Sequence, residues 1–143
     1  MTHAVVHSHE RLAEPPQAAD FGQHPILRVT TLGPEGLKYR ARFGGRVAAP
    51  LRILVALNGP VVRDTTGAGD WSTAGLLHCH AREGAEGFRK ATPSDAGAGL
   101  WFGQALAARR CAYLGARGGM EQDSVPDFPI GEDHANFWIC TSS

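Results

Sequence analysis

The sequence predicts an α/β fold, a partial sheet with packed helices, and three observations carry that expectation. Ile26 to Thr31 and Leu37 to Phe43 are β-rich segments on either side of the turn Leu32-Gly33-Pro34-Glu35-Gly36. Asp64-Thr65-Thr66-Gly67-Ala68-Gly69-Asp70 follows the apolar pair Val61-Val62 and runs into Trp71-Ser72-Thr73-Ala74-Gly75-Leu76-Leu77, a small-residue and leucine pattern that reads as a helix. Thr92-Pro93-Ser94-Asp95 then has the form of a second helix start, with a capping hydroxyl, proline at the first helical position and an acid at the third.

Taken in order, residues 1–25 are loosely patterned, and Glu14-Pro15-Pro16-Gln17 breaks any long element. Val5 and Val6 suit a short strand, with a helical turn from His7 to Leu12 after it. β-branched residues make Ile26 to Thr31 a strand, and alternation of apolar with basic residues makes Leu37 to Phe43 its hairpin partner. Gly44-Gly45 and Asn58-Gly59-Pro60 are turns, with apolar strand residues between them from Val47 to Leu57. Val61 to Asp64 is expected to be the strand that delivers the glycine-rich turn. A helix follows from Gly67 to about Arg82, with Ala74, Leu77 and Ala81 on one face and Gly75 allowing close packing. Glu83-Gly84 ends it, and Ala85 to Ala91 reads as a polar connection. The second helix extends to about Tyr113, where Gly97, Gly99 and Gly103 serve contact rather than helix strength. Beyond Met120 the pattern becomes an irregular tail, with Phe137, Trp138 and Ile139 available to dock.

Composition narrows the function classes. A chain of 143 residues supports one modest domain, and its formal net charge of zero supplies no long-range field for nucleic acid or an acidic membrane. No apolar run approaches the ~20 residues needed to span a bilayer, and the polar start lacks the apolar core of a signal peptide. The expectation is a soluble, cytoplasmic protein without nucleic-acid or membrane partners. Cys79, Cys111 and Cys140 lack paired spacing, which suits reduced thiols. His78-Cys79-His80 resembles a metal cluster, but residues two apart on a helix point about 200° from each other.

The chemistry gathers at the glycine-rich turn. A strand leading through glycines into a helix presents free backbone amides and the positive end of the helix dipole, which suits a phosphate or a developing anion. No lysine follows the glycines, so a P-loop is excluded, and Asp70-Trp71-Ser72 breaks the dinucleotide fingerprint. Asp70 inside such a cradle opposes phosphate unless it works as a general base, although the turn also accommodates it as a helix-capping residue.

The string from Asp64 to Asp70, followed three residues later by Ala74-Gly75-Leu76-Leu77, resembles the C-terminal signature of ribokinase-like (PfkB) carbohydrate kinases. That resemblance implies the C-terminal part of a three-layer ribokinase-like fold, with Gly67, Ala68 and Gly69 as anion hole and Asp70 as the base on a sugar hydroxyl. Thr31-Leu32-Gly33-Pro34-Glu35-Gly36 is similar to the family's T-L-G-x-x-G, which places Thr31, Gly33 and Gly36 beside the nucleotide. Gln104 stands where an adenine neighbour is found, and Gly115, in Leu114-Gly115-Ala116, in the turn that closes the nucleotide region. In cation-dependent relatives the positions of Asp64 and Thr66 help bind potassium. Glu10 echoes the magnesium-organising N-x-x-E motif, with His7 in place of its asparagine, and Arg63 intervenes where the family places Asp directly after the apolar pair.

The implied cofactors are ATP and Mg2+, with K+ in the cation-dependent case. The resemblance covers residues 26–120, between a loosely ordered segment 1–25 and the tail 121–143, and it matches one half of such an enzyme. The sugar-binding half cannot be fitted before Ile26. A fragment or split subunit is therefore expected, acting on a sugar or sugar-like molecule with a complementary N-terminal half or as a homo-oligomer. The alternative is a non-catalytic nucleotide-binding remnant or regulatory module, which the substituted His7 favours.

Overall fold

A computed structural model describes residues 3–12, 14, 16, 20, 27–42, 50–57, 61–81 and 83–120. The expected turns at Gly44-Gly45 and Asn58-Gly59-Pro60, and the tail from 121, lie outside the described residues. The chain divides into two compact units, one of residues 1–56 with 80–97 and the other of residues 57–79 with 98–143.

The first unit holds a four-stranded sheet of β1 (Ala4–Ser8), β2 (Leu27–Thr31), β3 (Leu37–Ala41) and β4 (Arg52–Leu54), in that spatial order. β1 and β2 are parallel, in register from Ala4 opposite Leu27 to Ser8 opposite Thr31. β2 and β3 form the expected antiparallel hairpin, and β3 pairs antiparallel with β4. Period-two alternation puts Leu27, Val29, Leu37, Tyr39 and Ala41 into the core, while Arg40 is exposed. Opposed pairs such as Val29 with Tyr39 pack aromatic on β-branched surface, the kind of contact that fixes register.

Gly36 is the residue on which the hairpin turns. At φ 102° it adopts a conformation that side chains disfavour, and a Cβ there would lie 2.1 Å from the carbonyl oxygen of Leu54. The turn itself is a single 3-10 turn over Gly33–Glu35, closed by Leu32 N–H donating to Gly36 O at 2.8 Å.

Three expected elements are corrected. Of the strand expected over Val47 to Leu57, the described part contains only Arg52–Leu54. As an edge strand it leaves Leu51, Ile53 and Val55 exposed, so apolar composition there did not translate into burial. Ala85 to Ala91 is not merely a connection: it contains α2 (Ala85–Lys90) after α1 (Ala68–His80). Phe88 is buried beside the His80 ring at 5.8 Å, and that one aromatic anchor organises a segment that otherwise reads as polar. The third correction is Val61 to Asp64, which joins no strand ladder among the described residues, because its amides at Arg63 and Asp64 both donate to Cys111 O.

α3 (Pro93–Arg110) starts at the expected capping box. Asp95 Oδ2 accepts from Thr92 N at 2.7 Å, and Asp95 N donates to Thr92 Oγ1 at 3.2 Å. In the second unit α1 and α3 cross at two glycines. A Cβ on Gly75 would lie 2.5 Å from Gly103 Cα, and one on Gly103 would lie 2.2 Å from Ser72 O. This crossing fixes which face of α1 is inside. Ser72, Gly75 and Leu76 are buried, whereas Ala74 and Leu77, which the sequence groups on one face, are exposed. Close backbone approach followed the smallest residues rather than the most apolar ones.

Gly103→Ala separates two effects of opposite sign. Alanine raises helix propensity by about 1 kcal/mol, but its Cβ meets a backbone carbonyl that cannot rotate away, and overpacking of this kind costs about 1–3 kcal/mol. Urea unfolding is expected to show net destabilisation, and an unchanged or raised midpoint would mean that the crossing is looser than described.

Candidate active site

In the second unit the segment from Arg63 to Asp70 is fixed before any functional side chain is considered. Arg63 N and Asp64 N donate to Cys111 O at 2.7 and 3.2 Å. Asp64 then bridges two segments through its carboxylate, with Oδ1 accepting from Thr66 N at 2.9 Å and Oδ2 from Gly115 N at 2.7 Å. The Thr66 amide, with the Thr66 hydroxyl, the Gly115 amide and the Arg110 guanidinium, pulls the Asp64 carboxyl down to about 2.

Gly67 turns the chain at φ 82°, with Ala116 Cβ 3.1 Å from where its own Cβ would be. Helix α1 begins at the next residue. Ala68 N donates to Thr65 O at 3.1 Å and Trp71 N to Gly67 O at 3.0 Å. Among the described residues no acceptor engages the amides of Gly67, Gly69 and Asp70, which stand at the positive end of the helix dipole. The Trp71 indole donates to Ala116 O at 3.0 Å and ties the 115–117 turn to this helix start.

Asp70 and Asp95 occupy the same position, the third helical residue, in α1 and α3. Asp95 bends back onto the cap residue Thr92. Asp70 has Gly67 in that place, which offers no hydroxyl, and among the described residues its exposed carboxylate makes no such bond. Sequence alone left capping and base roles open for Asp70, and the local geometry leaves its carboxylate available.

Arg110 was not anticipated. It is 2% exposed, donates from Nη1 to Tyr113 O at 2.6 Å and from Nη2 to Thr66 O at 3.0 Å, and lies 3.7 Å from Asp64 Oδ2. Its position in the last turn of α3 resembles that of many solvated helix-end arginines, so no sequence signal distinguished it. Asp64, Thr66, Gly67 and Gly115 are thus brought together at the head of α1, with Ala68, Gly69 and Asp70 continuing from them. Gln104 is half-buried in α3 beside Gly103.

Thr31, Gly33, Gly36 and Glu10 belong to the other unit and come together there. His9 N donates to Thr31 O at 3.0 Å, and a Cβ on Gly33 would lie 3.3 Å from Glu10 Oε1. This group sits at the carboxyl ends of the parallel strands β1 and β2, the end of an α/β sheet where ligands collect. His7 packs sideways on the sheet, with Nε2 3.1 Å from Thr30 Oγ1, and burial holds its pKa below the usual value. Among the described residues no three His, Cys, Asp or Glu side chains converge as a metal cluster.

No protein-family profile matches the chain, and no curated protein sequence matches it. Solved structures do. An uncharacterized sugar kinase from Pyrococcus horikoshii, solved in complex with ATP, is 24% identical with a TM-score of 0.53, over 79% of this chain and 32% of its own. A nucleoside kinase from Burkholderia thailandensis, in complex with inosine, is 21% identical with a TM-score of 0.51, over 80% and 35%. A probable sugar kinase from Rhizobium etli is 17% identical with a TM-score of 0.53, over 82% and 33%. The fold is that of sugar and nucleoside kinases, present in part, since the chain spans about a third of the length of these structures. No helix among the described residues is long and apolar enough to cross a membrane.

The Asp64 bridge has a defined pH signature. Its folded value lies below the ordinary 3.8, so between those values the unfolded chain binds more protons than the folded one. The stabilisation from Asp64 is therefore complete above about pH 4 and is lost as pH falls toward 2. Thermal melting of wild type against Asp64→Asn is expected to show a gap that closes across that window, and a gap independent of pH would remove the ionised bridge.

Proposed function

We propose that this chain carries the nucleotide-and-base part of an ATP-dependent phosphotransferase that acts on an alcohol group of a sugar or sugar-like acceptor. The observation that supports it is Asp70 at the head of α1, with an exposed, uncapped carboxylate beside amides that have no acceptor among the described residues. The shared fold with structures of sugar and nucleoside kinases, one of them holding ATP, supports the same reading.

In this reading the amides of Gly67 and Gly69, with that of Asp70, hold the anionic oxygens of the transferring phosphoryl group. The Ala68 amide already donates to Thr65 O, so Ala68 contributes backbone shape to the hole rather than a free donor. Asp70 accepts the proton of the attacking hydroxyl, and the helix dipole stabilises the charge that develops. By the resemblance, Thr31, Gly33 and Gly36 in the first unit and Gln104 in the second are nucleotide neighbours. Magnesium, if bound with the nucleotide, would supply neutralisation of the phosphate charge. Glu10, beside the Gly33 turn, is the carboxylate here that would orient its water shell.

A regulatory nucleotide-binding module is the competing reading, favoured by His7 where the family motif has asparagine and by its engagement with Thr30. Calorimetry with MgATP, followed by transfer assays with a sugar panel and the complementary half, separates the two. Asp70→Asn removes a negative charge from an anion site, so ATP is expected to bind as tightly as to wild type or more tightly. Phosphoryl transfer is expected to fall by about 10²–10⁴-fold. Unchanged turnover would take the base role from Asp70, and no ATP binding by the wild-type chain would end the nucleotide reading.

A further inference from the structure

Three oxygens converge on the guanidinium of Arg110: the carbonyls of Tyr113 and Thr66, at 2.6 and 3.0 Å, and Asp64 Oδ2, at 3.7 Å. Two main-chain carbonyls and a carboxylate are the kind of donor set that an alkali cation accepts in exchange for its water. Asp64 and Thr66 are also the residues that the kinase resemblance assigns to potassium. Here each oxygen of Asp64 also accepts from a backbone amide, Oδ1 from Thr66 and Oδ2 from Gly115. The Arg110 side chain is 1% exposed, so little water screens its charge. A potassium ion among the same oxygens would face a fixed positive charge at contact distance. It does not fit.

We propose that Arg110 is a built-in cation, holding the oxygens of Thr66, Tyr113 and Asp64 that would otherwise bind an alkali ion, so that the segment leading into Gly67 is ordered without potassium. A buried guanidinium persists only when its charge is compensated, and the three oxygens supply that compensation. Its Nε has no partner among the described residues, so the fit favours charge over complete hydrogen bonding. Arg110 also ends α3, where the carbonyl end of the helix attracts a cation. It is a positioning residue: it orders Thr66 and the 111–115 turn and touches no reacting atom.

The kinase reading enters only in saying where an alkali ion is expected. The test reads melting temperature rather than transfer, so it can fail while the Asp70 experiment succeeds, and the reverse. The full chain is melted in potassium chloride and in tetramethylammonium chloride at matched ionic strength. Wild type and Arg110→Lys, both carrying an internal charge, are expected to melt alike in the two salts. Arg110→Gln, which has no charge, is expected to melt lower in tetramethylammonium and to gain about 2–4 °C as potassium saturates the vacated oxygens. A saturable potassium-dependent rise in wild type overturns the proposal, as does the same response, or lack of one, in the Gln and Lys variants. Should Arg110→Gln fail to fold in either salt, wild type and Arg110→Lys decide: indifference of both to potassium supports the built-in cation, and a saturable rise in either overturns it.

Discussion

The carboxylate of Asp64, held by the amides of Thr66 and Gly115 with a buried guanidinium beside it, is the interaction from which the head of α1 takes its form. It joins the short stretch before Gly67 to the turn at Gly115, beside the links through the Cys111 carbonyl and the Arg110 guanidinium. With it, two segments 51 residues apart in sequence become one scaffold. Each partner is a main-chain donor or a charged group with little rotational choice, so the scaffold limits where the following amides can point. A catalytic or binding site built on such a loop needs this rigidity more than affinity for its own sake.

Much of the fold was legible because several segments carry redundant signals. The β2–β3 hairpin was marked both by alternation and by its Gly-Pro turn, and the start of α3 by hydroxyl, proline and acid in the required order. The errors share a cause. Val61 to Asp64 and residues 50, 51 and 55–57 are apolar enough for strands, but a strand exists only where another backbone meets its hydrogen bonds, and local composition does not say where that is. α2 was missed for the converse reason, since Phe88 against His80 supplies from tertiary packing what propensity lacks.

At the site, the residues with the strictest local requirement were the most readable. Gly67 must have positive φ, and the third helical position selects an acid, so both stand out in one dimension. The comparison of Asp70 with Asp95 shows where that legibility stops. Identical placement yields a capping acid in one helix and an uncommitted one in the other, and the difference lies in the residue three positions earlier. Arg110 was invisible for another reason: its role depends on two carbonyls, and main-chain oxygens leave no trace in a sequence.

One contact described above also gives the molecule an optical gauge. The indole N–H of Trp71 donates to the carbonyl of Ala116, so the chromophore senses the 115–117 turn beside the helix head. Were water to replace this carbonyl as acceptor, the emission of this tryptophan would move to longer wavelength. With Trp101 and Trp138 replaced, the setting of this turn can be followed by emission without a label, separately from any turnover of substrate.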